Sequence, residues 1–112
     1  MINLAAGQCV PCRGGIPPLT PAEIDDLMLH IIGWQVREMD GVDRLEKVFK
    51  FKDFLEAMAF TNRIAVIAEE QGHHPLITTE WGRVTVQWWT HKIKGLHRND
   101  FIMAAKTDEI LG

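Results

Sequence analysis

The chain has 112 residues, 46% of them hydrophobic and 24% charged, with a formal net charge of −3. That length accommodates about one domain. The mildly acidic balance excludes the clustered basic footprint of a nucleic-acid binder, and no apolar run approaches the roughly 18 residues of a membrane span.

Residues 1–19 read as a flexible, irregular arm rich in Gly and Pro, and residues 20–112 as the folded domain. The opening MINLAAGQC lacks the basic start and long apolar stretch of a secretory signal, so a cytoplasmic location is expected. Gln8 precedes Cys9 where a lipid-attachment box requires a small residue. Cys9 and Cys12 form a single CxxC, without the second pair of ligands that structural zinc needs. A redox CxxC stands at a strand-to-helix junction, which this segment does not offer, so the two thiols read as reduced.

Thr20-Pro21-Ala22-Glu23 is a helix start: Thr20 caps, Pro21 suits the first helical position and Glu23 completes a capping box. Ile24, Leu27, Met28 and Ile31 follow on one apolar face, and Gly33 closes the helix. Residues 34–39 and 44–51 read as strands joined through Asp40-Gly41, a strong hairpin signal. Leu45, Phe49 and Phe51 share one face of the second strand, and Glu46, Val48 and Lys50 the other. Residues 52–71 carry the longest helical pattern. Phe54, Leu55, Met58, Ala65 and Ala68 mark one apolar face and Phe60, Ile64 and Ile67 a second, so a sheet is expected to cover one side and a partner subunit the other. Gly72 is the expected cap. Residues 76–81 and 83–90 form a second hairpin turning near Gly82, with Trp89 directed away from the Val84/Val86 face, toward an interface or a ligand. A last helix spans 97–110 with Asp100 in its first turn, where the helix dipole favours a carboxylate. The order α-β-β-α-β-β-α predicts an α+β fold: a four-stranded antiparallel sheet with helices on one face.

Three of the five histidines, His73, His74 and His91, stand with Glu69 and Asp100 in the second half of the chain. Glu69 and His73 are four apart at a helix end, so the carboxylate is placed to orient that imidazole. In an antiparallel hairpin the start of one strand lies beside the end of the next, which brings the His73-His74-Pro75 segment toward His91. Imidazoles and carboxylates together suit proton transfer on a small molecule. Surface or core histidines without chemistry are the bland alternative. A His/carboxylate metal site is another, although no HExxH is present.

The series Glu69-x3-His73-His74-Pro75-x5-Trp81-x9-His91-x8-Asp100 resembles the signature of the pterin-4a-carbinolamine dehydratases. The resemblance extends over residues 20–111, and the segments GHHPLITTEWGRVTVQWW and KGLHRNDFIMAAKTDE resemble bacterial members that accompany phenylalanine hydroxylase. It implies a hydro-lyase that dehydrates 4a-hydroxytetrahydropterin to quinonoid dihydropterin by acid–base catalysis in tetrahydrobiopterin recycling. The pterin is the substrate, and no metal or other cofactor is implied. His73 and His91 become the acid–base candidates, and His74 shares in proton transfer or holds the pterin. Glu69 orients His73, Asp100 positions His91 or contacts the ring, and Pro75 and Trp81 support the substrate. Animal members carry an aromatic residue where this chain has Ile77, which would make that wall of the pocket aliphatic. The resemblance also implies a homodimer or homotetramer, and a possible protein partner, since animal members bind a homeodomain transcription factor and some relatives are assembly factors.

Overall fold

The computed structural model describes residues 3–10 and 16–111. Among these, the elements in chain order are α1 (Pro21–Met28), β1 (Gln35–Met39), β2 (Val42–Lys50), α2 (Phe54–Gln71), β3 (Leu76–Glu80), β4 (Arg83–Trp88) and α3 (Arg98–Leu111). Two short 3-10 turns accompany them, Leu4–Ala6 before α1 and His91–Ile93 between β4 and α3. The strands form one antiparallel sheet in the order β1-β2-β4-β3, so the α+β architecture follows the sequence pattern.

The local signals act as their chemistry requires. The Thr20 hydroxyl accepts from Glu23 N–H while the Glu23 carboxylate accepts from Thr20 N–H, closing the capping box. α1 is shorter than the sequence pattern: it ends at Met28, and tighter turns carry the chain to Gly33. The β1–β2 turn places both Asp40 (φ 54°) and Gly41 (φ 78°) in the left-handed region, the geometry whose twist matches the flanking strands.

Leu45 and Phe49 of β2 and Val84, Val86 and Trp88 of β4 fill the inner sheet face under α2 and α3. Each large apolar side chain so buried contributes roughly 1.5–3 kcal/mol. Trp88 is fully enclosed, and its Nε1–H donates to Thr107 Oγ1 (3.1 Å), which ties the strand to α3. Lys47 Nζ (2.8 Å) and Trp34 Nε1 (3.0 Å) both donate to Asp108, a second tie between sheet and α3. From α2, Thr61 and Thr79 share a 2.6 Å hydrogen bond that fixes the helix against β3.

Of the two apolar faces read on α2, the one carrying Phe60, Ile64 and Ile67 packs on the core. Ala57, Phe60, Ile64 and Ala68 face the core, whereas Phe54, Leu55 and Ala65 are exposed. Apolar residues surround this helix, so composition left its phase open and packing against the sheet selected it. Ile77 pairs with Val86 across the β3–β4 ladder and packs on the core, so it is not a wall of the cleft described below. No helix among the described residues is long and apolar enough to cross a membrane.

The segment read as a flexible arm makes specific contacts over residues 3–10. Leu4 is buried in the core, and Lys106 Nζ on α3 donates to the Ala5 carbonyl (2.8 Å). Cys12 of the CxxC lies outside the described residues.

Candidate active site

α2 ends in a Gly72 left-handed cap (φ 63°), with the His73 N–H donating back to the Ala68 carbonyl at 3.1 Å. Glycine adopts this conformation without the Cβ penalty, and the reversal swings His73 off the helix axis. Pro75 follows, half-buried, and holds His74 extended so that the chain enters β3. Successive residues of an extended chain point to opposite sides, which separates the two imidazoles.

His73 turns inward. Its Nε2 lies 2.6 Å from Asp100 Oδ1, and its ring stacks on Trp88 with centroids 5.9 Å apart and planes 10° from parallel. Asp100 is 0% exposed in the first turn of α3. Its Oδ2 accepts from Thr90 Oγ1 (2.8 Å) and from the His97 N–H (2.9 Å). Two fixed donors thus occupy Oδ2, and Oδ1 is the oxygen that faces His73. With Asp100 as a carboxylate, which only accepts, the proton between the pair sits on His73 Nε2. Nδ1, which meets no partner among the described residues, is then the nitrogen left to exchange a proton.

His74 turns outward, its Nε2 2.6 Å from Glu69 Oε1 in an exposed pair. His91 lies on the short turn after β4, which a two-way backbone bridge between Thr90 and Gly95 closes (2.9 and 3.5 Å). Its ring packs on Trp89 at 4.4 Å, and the Arg44 guanidinium covers the Trp89 ring at 3.8 Å. Trp89 thus lies on the outer sheet face, away from Val84 and Val86, as its alternation requires.

His73, His74 and His91 line one cleft of about 420 Å³, a volume suited to a small molecule. Two carboxylate assignments differ from the sequence reading. Glu69 holds His74 rather than His73, because the left-handed cap ends the helical i,i+4 relation before His73. Asp100 holds His73 rather than His91, because α3 packs its first turn against the end of α2. Trp81 is a further correction: it is 73% exposed at the β3–β4 turn, about 17 Å along the strand from the histidine end. It neither lines the cleft nor joins the core. The cleft also contains residues that spacing did not single out, namely Gln71, Thr90, Lys92 and Asn99, together with Cys9 and Val10 from the N-terminal segment. Asn99 adjoins Asp100 in sequence, but nothing local marks it.

The structure is thus an α+β domain in which one antiparallel sheet and a C-capped helix bring three imidazoles to a single cleft. The model of the family described as pterin 4 alpha carbinolamine dehydratase matches residues 17–110, and the chain belongs to that family. A relative from Syntrophotalea carbinolica, named for pterin-4-alpha-carbinolamine dehydratase, is 55% identical over 99% of both chains. One from Marinobacter nauticus, of the same name, is 53% identical over 98% of this chain and 99% of its own. Among solved structures, a transcriptional coactivator/pterin dehydratase from Brucella melitensis superposes with a TM-score of 0.76 at 36% identity, covering 85% of this chain and 99% of that one. A pterin dehydratase-like RuBisCO assembly factor of the alpha-carboxysome shares the fold (TM-score 0.61, 24% identity, 74% of this chain and 94% of that one).

Proposed function

We propose that this chain dehydrates 4a-hydroxytetrahydropterin to the quinonoid dihydropterin, with His73, His74 and His91 as its proton-handling groups. The observation that carries this reading is the His73–Asp100 pair, in which a fully buried carboxylate holds an imidazole that lines a cleft shared with the other two histidines. In the reaction the C4a hydroxyl takes a proton and leaves as water. The N5 lone pair forms the C4a=N5 bond, and the N5 proton passes to a base. The substrate's own nitrogen drives the departure, so the chemistry requires proton donors and acceptors rather than a metal or an organic cofactor.

His73 is the group best prepared to move a proton, because Asp100 fixes its tautomer and Trp88 its ring plane. His91 and His74 line the same cleft, His74 under the hold of Glu69. The physiological setting we assign is pterin recycling beside an aromatic amino-acid hydroxylase in the cytoplasm. The exposed strip of Phe54, Leu55 and Val66 on α2 favours self-association, which size-exclusion chromatography with light scattering measures directly.

The test follows freshly generated 4a-hydroxytetrahydropterin by absorbance, with the uncatalysed decay as baseline. Wild-type protein is expected to accelerate the decay, and His73→Ala to lose about 10²–10⁴-fold of kcat while remaining folded. A folded wild-type protein that leaves the baseline unchanged would refute the reading.

A further inference from the structure

The N-terminal segment is part of the cleft, and its attachment is specific. The Cys9 N–H donates to Gln71 Oε1 (2.8 Å) at the end of α2. Val10 exchanges two main-chain hydrogen bonds with one side-chain amide: its N–H donates to Asn99 Oδ1 (3.0 Å), and Asn99 Nδ2 donates to its carbonyl (2.8 Å). Asn99 is itself buried, so this amide stands where a neighbouring strand would otherwise meet the Val10 backbone. Upstream, Leu4 in the core and the Lys106–Ala5 bond anchor the same segment along α3. Val10 is nevertheless 56% exposed while its backbone is held, and it lines the cleft. Asn99 and Asp100 are consecutive, so one turn of α3 supports both the His73 pair and this wall.

We infer that Cys9–Val10, latched by Asn99 and Gln71, is the outer wall of the cleft and sets how tightly the cleft holds a pterin. The inference rests on the dehydratase reading for the identity of the ligand. A planar bicyclic ring seated over the histidines would cover the exposed Val10 methyls, a contact made in substrate and transition state alike. Such uniform binding lowers KM without raising kcat. Asn99, which borders the cleft itself, is assigned a positioning role through its two bonds to the Val10 backbone.

The experiment compares wild-type protein, Val10→Ala and Asn99→Ala in two measurements: steady-state dehydration kinetics, and fluorescence titration with 7,8-dihydrobiopterin, a stable reduced pterin. In both variants KM and the dihydropterin Kd are expected to rise together by roughly three- to tenfold, the loss of one or two methylene-sized contacts, with kcat within about twofold. Val10 is solvent-exposed, so its truncation leaves the fold intact and keeps the test valid should Asn99→Ala prove unstable. Val10→Ala with wild-type KM and Kd overturns the wall while leaving the dehydratase reading in place. A wild-type protein that binds dihydropterin without accelerating dehydration refutes the catalytic reading alone. The Kd comparison then still decides the wall, a rise supporting it and an unchanged value overturning it. A wild-type protein that binds no pterin overturns both.

Discussion

His73 and Asp100, 27 residues apart in sequence, meet at 2.6 Å where the end of α2 abuts the start of α3. The contact makes a single carboxylate the junction of three segments: the cap of α2 through His73, the exit of β4 through Thr90, and the residue just before α3 through the His97 N–H. Because Asp100 is wholly enclosed, its removal strands all three donors.

Asp100→Ala is therefore expected to cost about 3 kcal/mol, since each buried donor left unpaired costs roughly 1–3 kcal/mol and part of the loss is relieved by water. The urea midpoint at constant m-value measures it. A loss below about 1 kcal/mol would contradict the role of Asp100 as the junction.

Asp100→Asn separates chemistry from packing. The amide oxygen is drawn to the Thr90 and His97 donors, which leaves the amide N–H facing His73 Nε2. That nitrogen must then accept, and the imidazole is held in the wrong tautomer. We expect kcat to fall by about 10²-fold or more, with a much smaller change in stability than Asp100→Ala. Wild-type kcat in a folded Asp100→Asn protein would remove the tautomer argument.

Glu69→Gln tests the second pair. Glu69 and His74 are largely exposed, so the exchange is expected to change stability by no more than about 0.5 kcal/mol. Its effect on kcat is expected to be smaller than about tenfold, well short of the effect at His73. Parallel denaturation and turnover measurements on the two variants rank the pairs.

Gly72→Ala isolates the cost of the left-handed cap. A Cβ at Gly72 would meet nothing within 4 Å, so the penalty is conformational rather than steric. It is expected to be about 1 kcal/mol, read as a shift in the unfolding midpoint. A neutral substitution would mean that the chain leaves α2 by another route.

Acid sensitivity has an identifiable contributor on the outer sheet face. Burial pushes the Glu46 carboxyl up, but hydrogen bonds from Arg37 and Gln87 and the Arg37 charge together outweigh it and hold the group below its ordinary 4.5. A carboxyl lowered in the folded state binds its proton more readily in the unfolded chain. Its stabilisation is present above the ordinary value and is lost as pH falls through the lower, folded value. Urea unfolding at pH 6 and at pH 3 is therefore expected to separate wild type from Glu46→Gln at the higher pH and to bring them together at the lower. A gap that persists or widens in acid would reverse the sign.

Local chemistry was readable from the residues alone. The Thr20 capping box, the Asp40-Gly41 turn and the Gly72 cap depend on neighbours within a few positions, and alternation in β2 and β4 marked the buried face because a strand has only two faces. The histidines and carboxylates were identifiable as a set for the same reason: their residue types and spacing are properties of the chain. Their pairing was not. Asp100 reaches His73 rather than His91, and Glu69 reaches His74, because the angle at the α2 cap and the docking of α3 set those distances. The phase of α2, apolar around most of its circumference, was likewise chosen by packing against the sheet. Trp81 shares the motif but is carried away from the cleft by the length of β3. Val10 and Asn99, 89 residues apart, meet because the N-terminal segment lies along α3. Long-range contacts of this kind depend on how whole elements pack, and no local spacing encodes them.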